Sequence, residues 1–161
     1  MKNKSTTNLN QQIDMSQIST YQAGVAQASM HRRLQKYCDD VLNQYGITKM
    51  HWLIIGTVLD SKQEGVRLTD LSEVLGTTMS YITGEVNLLE AKGMLSRKVN
   101  VKDSRSKLIC INKSFAPKCT DIEATLRDAL RSTIYADIDP VEFRIYMKVL
   151  FQLGNVSKDI K

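Results

Sequence analysis

One glycine, Gly76, constrains this chain more than any other residue. Ahead of it, Leu68-Thr69-Asp70-Leu71-Ser72-Glu73-Val74-Leu75 has the spacing of a brief helix with Thr69 as its cap and Leu71, Val74 and Leu75 turned inward. Behind it, Thr77 or Thr78 caps a second helix that runs to Lys92 and stops at Gly93. Two short helices joined by a tight glycine-containing turn form the helix-turn-helix pattern.

The flanking segments extend that unit. Residues 1–17 are rich in Asn, Gln, Ser and Thr without an apolar period, which predicts a flexible N-terminal tail. Ile18, Tyr21, Val25, Leu34, Val41, Leu42 and Tyr45 recur at roughly helical spacing and predict a long helix over 18–45, closed by Gly46. Thr48 caps the next helix, from Lys49 to about Leu59, whose nearly continuous apolar run predicts burial on several sides. Arg67-Leu68 reads as a short extended segment.

After Gly93, Leu95–Val99 alternates and Lys107–Ile111 is β-branched and apolar, while Lys102–Ser106 between them is polar. This predicts a β-hairpin with a long tip. Two further helices follow. The first, to about Ala136, is expected to have a disturbed first turn because Pro117 lacks a backbone N–H, with Thr120–Glu123 as a second capping-box start. Asp139-Pro140 begins the last helix with a carboxylate at the cap and proline at the first helical position. A chain of 161 residues suits one core, so residues 18–161 are read as a single domain.

The net charge of +5 is local. Lys92, Arg97, Lys98, Lys102, Arg105 and Lys107 face only Asp103 within one window, and the remaining basic and acidic residues balance. Such a cluster is either a solvated hairpin or a phosphate-contacting element, since neutralising phosphates and releasing counterions supplies affinity for DNA. The second helix of the pair bears on the choice. Met79, Ile82, Val86 and Leu89 define its buried stripe, leaving Thr77, Ser80, Tyr81, Gly84, Asn87 and Leu88 on the other face. Residues near the N-terminus of such a helix reach base edges in the major groove. Gly84, which costs about 1 kcal/mol relative to Ala inside a helix, is either simply tolerated there or admits close approach of DNA. No Lys or Arg occurs between Leu68 and Ala91, whereas Asp70, Glu73, Glu85 and Glu90 do, so an arginine-to-guanine contact is unavailable to this helix.

In order and in motif the chain resembles the multiple-antibiotic-resistance regulator (MarR) family of winged-helix transcription factors. The resemblance rests on Ile47-Thr48-Lys49-Met50-His51-Trp52, on Leu68 to Gly76, on Leu89-Glu90-Ala91-Lys92-Gly93-Met94-Leu95, and on Arg97 followed by Asp103-Ser104-Arg105. It implies a mainly α fold with a small β-hairpin wing: a winged helix-turn-helix over about 48–112, flanked by dimerisation helices 18–45 and 113–157. It also implies a cytoplasmic homodimer on double-stranded DNA, with recognition helices in adjacent major grooves and wings over the minor grooves. Arg105 falls on the family's minor-groove arginine and Asp103 on the acid that orients it. After the hairpin the family's Leu-Thr-x-x-Gly becomes Ile111-Asn112-Lys113-Ser114-Phe115, which predicts an altered entry into the dimerisation helices.

The candidate DNA contacts are therefore Thr78, Ser80, Tyr81, Gly84 and Asn87 on the helix and Lys98, Lys102, Asp103, Arg105 and Lys107 on the wing. Family members often bind small phenolic or carboxylic effectors, and Tyr37, His51 and Trp52 either line such a pocket or are aromatic core residues. The function so implied is a repressor on a pseudo-palindromic operator, released by a small aromatic or carboxylic effector. The alternative is a winged-helix protein-interaction module without sequence-specific DNA binding.

Other chemistry is poorly represented. His31 and His51 pair with no Cys or carboxylate at metal-ligand spacing. No glycine-rich phosphate loop, nucleophile elbow or paired catalytic carboxylates occur, which argues against an enzyme, and no cofactor is implied. Cys38, Cys110 and Cys119 are scattered, against a disulfide scaffold, with Cys119 placed near a helix start where a thiolate is favoured. No apolar run approaches the roughly 18 residues of a membrane span.

Overall fold

The computed structural model describes residues 15–61, 64–101 and 103–156. It divides into two units, residues 1–34 and 35–161. Residues 1–14 of the expected tail lie outside the described residues, while Met15–Gln17 forms a 3₁₀ turn. Helix α1 (Thr20–Leu42) starts two residues later than the apolar period suggests. The reason is local: Ser19 N–H donates to Gln22 Oε1 at 2.9 Å and Gln22 N–H donates to Ser19 Oγ at 3.2 Å, a reciprocal cap.

In the second unit α1 ends in a 3₁₀ turn, Asn43–Tyr45, and Gly46 closes it at φ 68°. Helix α2 spans Lys49–Asp60. Strand β1 (Val66–Arg67) leads directly into α3 (Leu68–Val74), and α4 covers Met79–Ala91. Strands β2 (Leu95–Asn100) and β3 (Asp103–Ile111) precede α5 (Ala116–Ser132) and α6 (Pro140–Val156). The sheet is antiparallel in the order β1-β3-β2, with Val66 opposite Ile109 and Leu95 opposite Ile111.

The core joins Ile54, Ile55 and Val58 of α2, Leu71 of α3, Ile82, Val86 and Leu89 of α4, and Leu95 and Ile109 of the sheet, all nearly inaccessible. Cys119, Ile122 and Leu126 are the buried side chains of α5. Several expectations fail in detail. Thr69 does not cap α3: pairing in β1 holds Arg67 extended at the N-cap, and Thr69 falls inside the first turn. Val74 is 65 % exposed, because in so short a helix Leu75, a full turn past Leu71, lies nearer the core side. Met79 heads the α4 stripe at its first residue and is also exposed. Leu53 and Leu59 leave α2 partly uncovered, so it is not buried all round within one chain.

Two other differences concern the hairpin and the entry into α5. Most of the polar run read as a long tip is strand, because β3 begins at Asp103. The first turn of α5 is not disturbed: Pro117 sits where an N–H needs no helical partner, and the Thr120 start is not used. Ahead of it, Asn112 Oδ1 accepts from Ser114 N–H and Oγ, and Phe115 is buried at the N-cap. The helix ends at Ser132 rather than near Ala136. The start of α6 agrees with the sequence, with Val141 N–H donating to Asp139 Oδ1 at 2.7 Å.

Candidate nucleic-acid interface

The helix pair is fixed at its turn. Gly76 takes φ 59°, a left-handed conformation open to glycine, and Thr77 N–H donates back to the Ser72 carbonyl at 3.0 Å. Thr78, not Thr77, then caps α4, its Oγ1 accepting from Tyr81 N–H at 3.3 Å. Because Ile82, Val86 and Leu89 are buried, Ser80, Tyr81, Gly84, Asn87 and Leu88 are exposed. Open space surrounds Gly84, so no packing within the chain requires a glycine there.

The wing carries an irregularity at the place that matters. Val99 pairs with Lys107 and Asn100 with Asp103, so Ser104, Arg105 and Ser106 have no ladder partner on β2 and bulge out of the register, with Asn100 Nδ2 donating to Ser106 Oγ at 3.0 Å. Arg105, at the centre of the bulge, is exposed, and among the described residues no ion pair occupies its guanidinium. Asp103 acts on the backbone: its Oδ1 accepts the Arg105 N–H at 3.1 Å. Lys98 and Lys107 are exposed on the two strands, and Lys102 lies outside the described residues.

The carboxylates near α4 are more occupied than their number suggests. Glu90 Oε2 pairs with Arg97 Nη1, and Arg97 Nη2 donates to Asn87 Oδ1 at 2.7 Å, so one wing guanidinium grips two residues of α4. Asp70 is bound by Arg67 through two hydrogen bonds, which hold its carboxyl below the usual range. Glu85 turns toward α2, its Oε2 2.8 Å from His51 Nε2. Sequence reasoning missed these links. The clue was there: Glu90 and Arg97 flank the Gly93 turn, which takes φ 69°. The fold also ties Lys92 Nζ to the Gly46 carbonyl, so Lys92 and Arg97 both serve contacts inside the chain.

His51, Tyr37 and Trp52 have structural surroundings of their own. His51 completes a capping box: Thr48 N–H donates to its Nδ1 and Thr48 Oγ1 accepts its backbone N–H, both at 3.2 Å. With Nδ1 accepting, the neutral ring carries its proton on Nε2. Glu85 approaches that nitrogen closely but off the N–H direction, leaving it without an aligned acceptor. Burial lowers the His51 pKa, opposed by the nearby Glu85 charge. Tyr37 OH donates to the Ala129 carbonyl at 3.3 Å, and Trp52 is half-buried. None of the three lines the cavity of about 870 Å³ that the structure contains elsewhere. Cys119 is buried and its pKa raised by desolvation, which outweighs the helix-start effect expected of it. Among the described residues no cluster of His, Cys, Asp and Glu could hold a metal ion, and no helix is long and apolar enough to cross a membrane.

No protein-family model matches the sequence, and no curated protein matches it. Solved structures do. AbsC, a MarR family transcriptional regulator from Streptomyces coelicolor, superposes with a TM-score of 0.76 at 14 % identity, covering 89 % of this chain and 98 % of that one. BldR, a transcriptional regulator from Sulfolobus solfataricus, gives 0.72 at 22 % identity over 87 % and 95 %. A C80S mutant of MarR from E. coli, complexed with operator DNA, gives 0.71 at 16 % identity over 81 % and 91 %. At such identities the likeness is one of architecture: the chain has the winged-helix fold of the MarR family of transcriptional regulators.

Proposed function

We propose that the chain is a DNA-binding transcriptional repressor that acts as a homodimer on a pseudo-palindromic operator. The observation that carries this reading is the wing: a three-residue bulge displays Arg105 on a hairpin that also carries exposed Lys98 and Lys107. An arginine on a projecting hairpin suits a narrow, electronegative minor groove, and the lysines suit phosphates. Thr78, Ser80, Tyr81 and Gly84 form a low-profile face for base edges, while Asn87 is shared with Arg97. The pairing of Asp70 with Arg67 and of Glu90 with Arg97 reduces the repulsion that the acidic helix pair would otherwise present.

Dimerisation is supported by α6. Val141, Ile145, Tyr146, Val149, Leu150, Phe151 and Leu153 are each more than a third exposed, a larger apolar surface than a monomeric domain ordinarily leaves in water. Two such copies place half-sites about one helical turn apart. Release by a small aromatic or carboxylic effector is part of the same proposal.

The test is selection of duplexes by the purified chain, followed by titration of the selected duplex at fixed salt. Arg105→Ala is expected to weaken binding at least about tenfold, roughly the discrimination of one good groove contact, with its melting temperature unchanged. Unchanged affinity rejects the proposal. A second reading, a protein-docking winged helix, is favoured by the exposed Tyr81 and Leu88 on a face without cations. Salt separates the two: Lys98→Ala with Lys107→Ala should reduce the slope of log K against log salt by about 0.9 per lysine on DNA, and not at all on a protein partner.

A further inference from the structure

Most polar side chains of α4 are engaged within the chain, and the face they leave is apolar. In the major groove guanine offers two acceptors to Arg or Lys, adenine an acceptor and a donor to a bidentate Asn or Gln, cytosine a donor to a carboxylate, and thymine a methyl group. Three of these four contacts are closed to this helix. No Lys or Arg occurs between Leu68 and Ala91, which removes the guanine contact. Asn87 Oδ1 accepts from Arg97 Nη2 at 2.7 Å, so the wing holds the acceptor that a bidentate grip on adenine needs. Glu90 pairs with the same guanidinium, and Glu85, only 18 % exposed, lies against His51. Both carboxylates thus serve contacts inside the chain rather than a cytosine amino group. Thr83 Oγ1 donates to the Met79 carbonyl at 2.7 Å, and the Ser80 hydroxyl does not discriminate among bases.

The remaining face has a definite shape. Tyr81, Gly84 and Leu88 follow one another at i, i+3 and i+7 on one stripe, clear of the buried Ile82, Val86 and Leu89. Tyr81 is 44 % and Leu88 52 % exposed, and open space surrounds Gly84. Two apolar side chains therefore stand about 10 Å apart along the axis with a notch between them, a span of about three base-pair steps. We propose that this stripe reads thymine: Tyr81 and Leu88 pack on C5-methyl groups and Gly84 admits the methyl between them, so each half-site carries a run of A·T pairs under α4. Tyr81, Gly84 and Leu88 are then the specificity-determining residues. The inference rests on the DNA-binding reading and supplies the base class that the reading leaves open.

The probe is the duplex selected by the full chain, with the thymines of both half-sites replaced by 2′-deoxyuridine. The replacement removes the methyl, keeps every hydrogen-bonding group and alters only the major groove, so minor-groove contacts of the wing are untouched. It should weaken binding at fixed salt at least about tenfold, at roughly fourfold for each buried methyl. Tyr81→Ala and Leu88→Ala should each lower the thymine-to-uracil affinity ratio about fourfold with melting temperature unchanged, whereas a loss of fold would weaken both duplexes alike. Gly84→Ala fills the notch, so it should bind the thymine duplex less well and regain affinity when the central thymine alone is replaced, the reverse of wild type. Half-sites dominated by G·C pairs, equal affinity for the two duplexes, a Tyr81→Ala or Leu88→Ala chain with the wild-type ratio, or a Gly84→Ala chain that still favours the central thymine overturns the proposal. In each of these cases salt-dependent binding of the selected duplex leaves the regulator standing. A chain that binds no duplex rejects both.

Discussion

Arg97 Nη2 donates to Asn87 Oδ1 at 2.7 Å while Nη1 engages Glu90, so the wing and the exposed face of α4 are held by one side chain. A planar fork with two donors is suited to two separated acceptors, and a lysine ammonium in the same place is not. The link sets the spacing between the two elements that, under the proposed reading, meet adjacent grooves.

Arg97→Ala and Arg97→Lys should therefore both lower duplex affinity, by roughly fivefold to tenfold, equivalent to about 1 kcal/mol. The pair is partly exposed, so its share of folding stability should be small. Fluorescence anisotropy with the selected duplex, beside a thermal melt, checks both. If Arg97→Lys binds as wild type does, the two-acceptor grip is not what matters.

His51 makes stability fall on acidification. Its folded pKa is lowered from the ordinary value of 6.5, mainly by burial, so as pH drops below 6.5 the unfolded chain takes up a proton that the folded chain resists. Stability is full above 6.5 and declines until the folded pKa is passed. His51→Gln keeps a side-chain acceptor at the third helical position, where glutamine serves in capping boxes, but cannot titrate. Melting temperatures between pH 7.5 and 5 should decline more steeply for wild type than for His51→Gln. Parallel curves would show that His51 is not the titrating group.

Gly65 is required by both its backbone and its neighbours. Gly65→Ala puts a Cβ at positive φ and into contact with Cys110 Sγ and the Ile109 carbonyl, which should destabilise the chain by about 2 kcal/mol or more. Urea denaturation measures this. Pairing the change with Cys110→Ala should recover only part of the loss, because the carbonyl clash and the backbone strain remain.

Val149 lies midway along α6, 44 % exposed. Under the dimer reading it is buried between copies, so Val149→Asp should give monomer in sedimentation velocity at concentrations where wild type is dimeric. Helical content by circular dichroism should be unchanged. A dimer that survives the charge would place the interface elsewhere.

Periodicity and punctuation carried most of the fold. Gly46, Gly76 and Gly93 each adopt the positive φ that ends a helix, Thr48 and Thr78 cap where their hydroxyls can reach an N–H two or three residues on, and Asp139-Pro140 starts α6. These are local matters of backbone conformation and hydrogen bonding, and local residues decide them. The candidate wing residues were legible for the same reason, since charge and turn chemistry stand next to one another along the chain. Contacts between segments distant in sequence were not. Strand β1 exists because Val66 and Arg67 find β3 some forty residues later, and that pairing moves the start of α3 off Thr69. Glu85 and Glu90 read as free acidic charges until folding brings His51 and Arg97 to them. The cavity against Cys110 likewise arises only where the end of α2, the back of the sheet and the start of α5 converge. Residue type and spacing determine which helices and turns form; packing in three dimensions decides which charges are paired, which thiol is reachable and which face remains open.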